Sequence, residues 1–183
     1  MTKVLITGGA GFIGSHLAEK LQSICKVIVI DDLSSGNLEN LRGIDCDFIE
    51  GSILNRDFVE EAVEGCSRVF HLAAMVSVAE SMKAPRECLE QNISGLLNVL
   101  DACVKHSVGK LVFASSAAVY GNTPQTPKAE NQLPTPESPY AITKLDGEHY
   151  LEMYRKVHGL KSAAPRFFNV YGPRQNPAGD YAA

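Results

Sequence analysis

Residues 3–17 read KVLITGGAGFIGSHL and combine an apolar run, a glycine-rich turn and a helical pattern. Residues 4–6 form the short apolar run that is typical of a buried strand, and apolar residues recur at helical spacing over Phe12–Leu21. The segment therefore predicts a strand, a tight turn and a helix in direct succession.

The turn contains three glycines at regular spacing, Gly8, Gly11 and Gly14. Glycines at such positions allow a sharp turn, a close approach of backbone to a ligand, and tight packing of the helix on the sheet. The N terminus of the helix presents unpaired N–H groups and a partial positive charge, which suit a pyrophosphate. The triplet alone is weak evidence for a ligand, because many turns between a strand and a helix are rich in glycine.

A second predicted strand, residues 26–30, ends in Asp31 and Asp32, about twenty residues after the first turn. A carboxylate at this position can accept hydrogen bonds from the two ribose hydroxyls of an adenosine. The two acids would repel a 2′-phosphate, so the pattern predicts NAD rather than NADP as the cofactor. The polar turn expected beneath the adenosine contains Ser34, Gly36 and Asn37.

Composition limits the classes of function. The 183 residues are 45% hydrophobic and can bury one substantial core, and the formal net charge of −4 gives no attraction to nucleic acid or to an anionic membrane. No run approaches the roughly 18 apolar residues of a membrane span, and the N terminus lacks the layout of a signal peptide. The five cysteines form no CxxC pair, so we expect reduced thiols and no metal site. These features predict a soluble, cytoplasmic protein.

Strands and helices alternate along the rest of the chain. The further predicted strands are residues 47–50, 68–72, 110–114 and 160–166, and the further predicted helices are residues 57–63, 85–106 and 138–158. This alternation predicts an α/β fold with a doubly wound parallel sheet, the Rossmann fold. The polar loop of residues 122–139 is expected to form a wall of the active site.

Small or polar residues follow the fourth predicted strand and interrupt the long helix. Leu72, Ala73 and Ala74 would leave room for a cofactor that lies across the edge of the sheet. His71 lies within an apolar strand, which favours a hydrogen-bonded structural role over a catalytic one. Asn92 lies on the apolar stripe of the helix, where its amide must find partners, and is expected to brace the active site or contact the cofactor.

Tyr140 and Lys144 are four residues apart at the start of the last long helix, so both side chains project from one face. A tyrosine with a pKa of about 10 is a poor base, but a neighbouring lysine ammonium favours the phenolate and lowers the pKa. Tyr140 could then take a proton from a substrate hydroxyl as hydride leaves the same carbon. Ser116, after the fifth strand, would lie opposite Tyr140 across the active-site cleft and hydrogen-bond the substrate oxygen. The alternative is that Ser116 is a serine with only a structural role in a turn.

Six motifs follow one another along the chain: TGGAGFIGSHL, the acids of VIVIDDLSSGN, HLAA, ASSAAVYG, PYAITK and RFFNVYGPRQ. In this order they resemble the extended short-chain dehydrogenases of the NAD-dependent epimerase/dehydratase family. The resemblance runs the whole length and is greatest to the branch of the UDP-glucose 4-epimerases and their UDP-N-acetylglucosamine relatives.

The resemblance implies an activity and a set of site residues. It implies that Ser116, Tyr140 and Lys144 are catalytic, and that Ser116, Tyr140 and Asn169 bind a UDP-sugar. It also implies that Tyr140 removes the 4-hydroxyl proton while the C4 hydride passes to NAD and returns to the other face of the sugar. The NAD-contacting positions that it implies, besides the glycines and the polar turn, are Phe12, Ile13, Asp31, Asp32, Leu72, Ala73, Ala74, Asn92, Tyr140, Lys144 and Phe167. A homodimer built on the helices of residues 85–106 and 138–158 is implied as well.

Two departures from the family pattern bear on function. Ser52, between Gly51 and Ile53, stands where relatives usually carry an aspartate. Ser52 and Ile53 are still expected to contact the adenine, but the carboxylate is lost, and the NAD affinity is the property that this loss would affect. Ala117 and Ala118 stand where 4,6-dehydratases carry Asp-Glu, which leaves no acid for elimination and favours an epimerase. The alternatives are a dehydrogenase, reductase or dehydratase of the same family, or a non-catalytic NAD-binding module.

The same resemblance divides the chain. Residues 1–166 are expected to form the NAD-binding Rossmann domain with the catalytic serine, tyrosine and lysine. Residues 167–183 are expected to be the beginning of a smaller C-terminal substrate domain that is mostly absent from this chain.

Overall fold

The structure, a computed structural model, describes residues 2–176. The strands are β1 (Thr2–Thr7), β2 (Cys25–Asp31), β3 (Asp47–Glu50), β4 (Arg68–His71), β5 (Lys110–Phe113), β6 (Ser115–Ser116), β7 (Ser162–Ala163) and β8 (Arg166–Phe167). The α-helices are α1 (Phe12–Leu21), α2 (Arg56–Val63), α3 (Val78–Lys83), α4 (Pro85–Leu89), α5 (Gly95–Lys105) and α6 (Pro139–His158). Short 3₁₀ turns cover Leu38–Leu41 and Ala117–Tyr120, and a π-helical turn covers Glu90–Ser94.

Six strands form one parallel sheet in the order β3-β2-β1-β4-β5-β7. The chain builds outward from β1 to β3, then crosses back to place β4 on the other side of β1. Open α/β sheets bind their ligands at the carboxyl ends of the strands beside such a reversal. The predicted α/β fold with a doubly wound parallel sheet is confirmed, and the ligand edge lies after β1, β2 and β4.

The sheet is covered on both faces, which explains the continuous apolar run of β1. Successive side chains of a strand point to opposite faces. Leu5 packs into the core that α2, α5 and α6 cover, while Val4 and Ile6 pack into the core beneath α1. All three side chains are almost completely buried.

The predicted strand 160–166 is wrong as a single element. Residues 162–163 pair with β5, whereas residues 166–167 leave that sheet and pair with β6 as a separate two-stranded sheet. Pro165, which has no N–H to donate to a ladder, lies between the two pieces. The chain thereby carries Phe167 to the strand that ends in Ser116.

The predicted helix 85–106 is present but is interrupted. The π-helical turn Glu90–Ser94 separates α4 from α5 and contains Asn92. Such turns are frequent at functional sites because they redirect side chains. The short helix α3 precedes this region and was not predicted.

Helix α6 begins and ends where the sequence predicts. The Ser138 hydroxyl accepts the N–H of Ala141 at 3.1 Å, Pro139 occupies the first turn, and Gly159 adopts a φ of 72° at the C-terminal cap. A serine cap followed by proline is a strong start signal. The well-defined start fixes Tyr140 in the first turn of the helix.

Within residues 2–176, no helix combines the length and the apolar character needed to cross a bilayer. In that part of the chain there is also no group of three or more His, Cys, Asp or Glu side chains that could hold a metal ion.

Candidate active site

The glycine turn between β1 and α1 has no room for side chains. Gly8 has a φ of +70°, and a Cβ there would lie 2.6 Å from the backbone nitrogen of Ala73. A Cβ on Gly14 would lie 2.3 Å from the carbonyl oxygen of Gly8. Helix α1 has Gly11 as its N-cap residue, so it has no side-chain cap, and its first turn contains no acid. The turn therefore fits the pyrophosphate of a dinucleotide, which would supply the missing negative charge.

Asp31, at the end of β2, presents a buried carboxylate beside this turn. Its two oxygens accept the N–H groups of Ala10 at 3.0 Å and Leu33 at 2.9 Å. Burial raises the pKa of the Asp31 carboxyl, and the two N–H groups oppose that rise. Each carboxylate oxygen can accept a further hydrogen bond, so both ribose hydroxyls of an adenosine can be bound. Gly36 is needed here because a Cβ would lie 2.6 Å from an oxygen of Asp31.

The rest of the predicted adenosine turn is exposed. Asp32 is turned to the surface, where its carboxylate accepts the N–H and the hydroxyl of Ser34. Asn37 caps the 3₁₀ turn by accepting the N–H of Glu39, and its own N–H donates to the carbonyl of Ala10. The turn is thereby fastened to the glycine loop.

Thr7 and His71 shape the ends of β1 and β4. The Thr7 hydroxyl oxygen accepts the N–H groups of Leu72 and Ala73, both at 3.2 Å. Its own hydrogen then donates to Nδ1 of His71 at 2.8 Å. Burial, with a smaller effect of the Lys144 charge, lowers the pKa of His71 to about 3. The imidazole is therefore neutral and holds the Leu72–Ala74 edge in place, as expected of a structural histidine.

Tyr140 and Lys144 lie side by side and are buried, with exposed fractions of 9% and 3%. The Lys144 ammonium lies 5.6 Å from the ring centre of Tyr140 and 4.8 Å from that of Phe113. Burial lowers the pKa of Lys144 to about 8. At pH 7 the amine is still mostly charged, so it can stabilise a phenolate on Tyr140.

Ser116 ends β6, which packs against α6. Its hydroxyl oxygen accepts the N–H of Ala118 at 3.1 Å and so caps the turn Ala117–Tyr120. This bond uses the oxygen as an acceptor and leaves the hydroxyl hydrogen to donate elsewhere. The turn-capping role and a bond to a substrate oxygen are therefore compatible.

A half-buried ion pair that the sequence did not indicate braces this region. Glu148, one turn after Lys144, accepts hydrogen bonds from Arg166 at 2.7 and 2.9 Å and from the Ser115 hydroxyl at 2.5 Å. Burial works to raise the pKa of Glu148, but Arg166 and Ser115 outweigh it and lower the pKa. The Arg166 guanidinium also stacks on Tyr120, with its Cζ 4.7 Å from the centre of the ring. The pair joins β6, α6 and β8 behind Ser116.

Asn92 braces the site, one of its two expected roles. Its Oδ1 accepts the N–H of Met75 at 2.7 Å, and its Nδ2 donates to the Met75 carbonyl and to the Thr143 hydroxyl. Two further residues that the sequence analysis missed, Thr143 and Ser81, bind the peptide groups of Tyr140. Only Thr143 gave a signal, because a threonine three residues after the tyrosine can bond back to its carbonyl.

The remaining predicted site residues differ in how far their side chains are exposed. Ile53 is 3% exposed and packs in the core, so only its backbone can reach a ligand, and the Ser52 hydroxyl accepts the N–H of Leu54 at 3.2 Å. Phe12 and Ile13 line a cavity of about 280 Å³ against residues 170–173. Phe167 is partly exposed in β8, and Asn169 is exposed just beyond it.

Replacement of Lys144 by methionine is expected to stabilise the fold at neutral pH. The folded state binds the Lys144 proton less tightly than the unfolded state, so the cost of its charge is fully present below pH 8 and falls as the pH rises towards 10.5. The shift corresponds to about 3 kcal/mol. In urea unfolding without added NAD, Lys144→Met should gain about 3 kcal/mol at pH 7 and about 1 kcal/mol at pH 10.

The matched control is Lys156→Met, on the same helix but exposed and paired with Glu152. Its effect should stay below about 1 kcal/mol at both pH values. An equal gain from Lys144→Met at pH 7 and pH 10 would contradict the lowered pKa.

Comparison with known sequences supports the family resemblance. The sequence profile of the NAD dependent epimerase/dehydratase family matches residues 4–183. A relative named putative UDP-glucose 4-epimerase, from Methanocaldococcus jannaschii, is 38% identical over 180 residues, which are 97% of this chain and 59% of that protein. The UDP-glucose 4-epimerase of Mycolicibacterium smegmatis is 39% identical over 185 residues, with 97% and 59% covered.

Solved structures give the same result. A UDP-N-acetylglucosamine 4-epimerase from Methanobrevibacter ruminantium, in complex with UDP-N-acetylmuramic acid, superposes with a TM-score of 0.95 at 40% identity, covering 100% of this chain and 59% of that one. The UDP-glucose 4-epimerase of Thermus thermophilus, in complex with NAD, gives 0.92 at 42% identity, covering 99% and 60%. This chain therefore spans about three fifths of the length of the relatives that it matches.

These matches confirm three predictions: the family, its UDP-glucose 4-epimerase branch, and NAD as the cofactor. The glycine turn follows β1, the buried Asp31 ends β2, and Tyr140 and Lys144 lie next to each other on α6. The chain belongs to the NAD-dependent epimerase/dehydratase family.

Proposed function

We propose that this protein is a nucleotide-sugar 4-epimerase that acts on UDP-glucose and UDP-galactose or on their N-acetyl forms. The observation that carries the proposal is the buried pair of Tyr140 and Lys144 beside the ligand edge of the sheet. The relatives support it, because those compared above are named as 4-epimerases of UDP-sugars. A cytoplasmic location remains a prediction.

The cofactor would be held by features of this chain alone. Gly8, Gly11 and Gly14 leave space for the pyrophosphate at the start of α1, and Asp31 would bind the adenosine ribose. The ends of β1 and β4, held by Thr7 and His71, would form the floor beneath the nicotinamide. When bound, NAD supplies a hydride acceptor and donor for the sugar C4.

Three side chains would then perform the proton chemistry. The Tyr140 phenolate, stabilised by the Lys144 ammonium, takes the proton of the sugar 4-hydroxyl and later returns it. The Ser116 hydroxyl, whose hydrogen is free to donate, binds the same sugar oxygen and holds it in reach of Tyr140. Asn169, just beyond β8, would contact the sugar nucleotide.

Among residues 2–176, the segment after Ser116 offers no acid for the elimination of water. A 4,6-dehydratase needs an acid near the sugar C6, and the turn after Ser116 offers only Ala117 and Ala118 there. Glu148 is committed to Arg166 and Ser115 and is already ionised. These observations favour the epimerase over the dehydratase.

The proposal is tested by an assay of the full-length protein with NAD, giving UDP-galactose and UDP-N-acetylgalactosamine separately. We expect the epimeric sugar to form without lasting absorbance of NADH. Accumulating NADH would indicate a dehydrogenase, and NAD binding without any turnover would indicate a binding module; either result contradicts the proposal.

Ser52→Asp is expected to raise the affinity for NAD by about tenfold. The substitution introduces the aspartate that the family usually carries at this position. Its carboxylate would add a charge-assisted hydrogen bond to the adenine amino group. A carboxylate can also keep the turn by accepting the N–H of Leu54, as the Ser52 hydroxyl does. Calorimetric titration with NAD measures the change, and Ser67→Asp adds the same charge at an exposed serine as a control. An unchanged affinity would mean that residue 52 does not face the adenine.

We also propose that the protein forms a homodimer, built on α4, α5 and α6 of two copies. Helix α6 leaves Ile142, Met153 and Val157 exposed by 47%, 40% and 66%. A second copy would remove these apolar side chains from water. Light scattering of the full-length protein should give twice the mass of one protomer, and a single-protomer mass would count against the dimer.

A further inference from the structure

The peptide groups on either side of Tyr140 are held by two buried hydroxyls. Its N–H donates to the Ser81 hydroxyl oxygen at 3.2 Å, and its carbonyl accepts from the Thr143 hydroxyl at 2.8 Å. Ser81 is completely buried, and Thr143 is 4% exposed. Thr143 is a near neighbour in α6, but Ser81 lies in α3, 59 residues earlier in the chain.

The bond from Ser81 satisfies a group that α6 cannot satisfy by itself. The N–H groups in the first turn of a helix have no partner within the helix. The Ser138 hydroxyl takes the N–H of Ala141, and Pro139 has no N–H to donate. The N–H of Tyr140 is therefore bound from outside the helix, and the first turn is anchored at the residue that carries the phenol.

The same segment is connected to the edge of the sheet where the cofactor would lie. Met75, directly after Leu72–Ala74, is bound through both its N–H and its carbonyl by the Asn92 amide. The same amide donates to Thr143, which binds the Tyr140 carbonyl. Residues 75–81 thus reach Tyr140 by two routes, through Asn92 and Thr143 and directly through Ser81.

We propose that Ser81 is a positioning residue that holds the phenol of Tyr140 in register with the ligand edge after β4. The role rests on the proposed function, in which Tyr140 is the base. Proton transfer requires the phenol oxygen within about 2.6–3.2 Å of the sugar hydroxyl. A misplacement of about 1 Å can lower the rate by about 100-fold. Ser81 acts only through the backbone of Tyr140.

The test compares Ser81→Ala with Ser15→Ala in the full-length protein. The two serines are matched, because both are completely buried and both hydroxyls donate to the carbonyl three residues earlier, Val78 and Phe12 respectively. The Ser15 bond stays inside α1, whereas Ser81 also holds α6. The readouts are kcat and KM for the UDP-sugar, and hydrogen exchange of the Tyr140 amide.

We expect Ser81→Ala to speed exchange of the Tyr140 amide about tenfold or more, because the amide loses its partner. The kcat should fall between about 10-fold and 100-fold, while KM stays within about twofold. Ser15→Ala should change neither the exchange at Tyr140 nor the kcat.

Three results would overturn the role of Ser81, and the first two are unchanged exchange at Tyr140 and faster exchange with an unchanged kcat in an active enzyme. A general loss of stability would lower kcat in both variants equally and would also overturn it. A wild-type protein without turnover contradicts the proposed function instead, and faster exchange in Ser81→Ala alone would still support the anchoring of Tyr140.

Discussion

Tyr140→Phe in the full-length protein is expected to lower the kcat of epimerisation by about 10³-fold or more. The substitution removes only the phenolic oxygen, which is the group that accepts and returns the proton, and general base catalysis of this kind contributes about 10²–10⁴-fold. The ring remains beside the Lys144 ammonium, so the packing should persist. Affinity for NAD should change by less than about threefold, since the glycine turn and Asp31 are untouched.

Tyr154→Phe is the matched control for the loss of a tyrosine hydroxyl. Tyr154 lies on the same helix, is 6% exposed and donates to Asp101 at 2.6 Å. Its loss should cost about 1 kcal/mol of stability and leave kcat unchanged. A Tyr140→Phe enzyme that retains more than about a tenth of the wild-type kcat would exclude Tyr140 as the base.

Gly8→Ala is expected to weaken NAD binding by about 100-fold or more. A Cβ at Gly8 would meet the backbone nitrogen of Ala73 at 2.6 Å and its Cα at 2.8 Å. Backbone cannot rotate away, so the turn or the end of β4 must shift and the bonds from Leu72 and Ala73 to Thr7 must lengthen. Loss of two charge-assisted bonds to the pyrophosphate costs about 3 kcal/mol or more, which is about 100-fold in affinity.

Gly43→Ala separates this clash from the strain of the backbone conformation. Gly43 has a φ of +77°, close to the +70° of Gly8, but a Cβ there would meet nothing within 4 Å. Gly43→Ala should therefore cost about 1–2 kcal/mol of stability and leave the NAD affinity unchanged. Equal losses of NAD affinity in both variants, measured by calorimetric titration, would contradict the structural reason given for Gly8.

Local patterns were sufficient to predict the first βα unit and the start of α6. In both places the signals lie within a few residues: an apolar run, glycines and helical spacing in residues 3–17, and Ser138 followed by Pro139. The pairing of Tyr140 with Lys144 was predictable for the same reason, because residues four apart on a helix share a face. The family resemblance then supplied roles that spacing alone does not.

Contacts between distant residues could not be predicted in this way. Three hydrogen bonds, from Tyr140 to Ser81, from Arg166 to Glu148 and from Thr7 to His71, join residues that are 59, 18 and 64 positions apart. A serine or an arginine has the same local pattern whether its partner is water or a buried group. The prediction of one strand over residues 160–166 was wrong for a different reason. Both β5 and β6 have an edge that can pair with this segment, so residues 162–163 pair with β5 and residues 166–167 pair with β6. Pro165, between the two pairs, has no N–H to donate and limits the pairing.

The most direct test of the account follows the hydrogen at C4 of the sugar. UDP-galactose carrying deuterium at C4 is incubated with the full-length protein in ordinary water, and the isotope in the product sugar is measured by NMR. Because the account removes this hydrogen as hydride and returns it to the same carbon, while Tyr140 handles only the hydroxyl proton, we predict that the product retains the deuterium at C4. Loss of the deuterium to water would show that C4 is deprotonated, and would contradict the proposed mechanism.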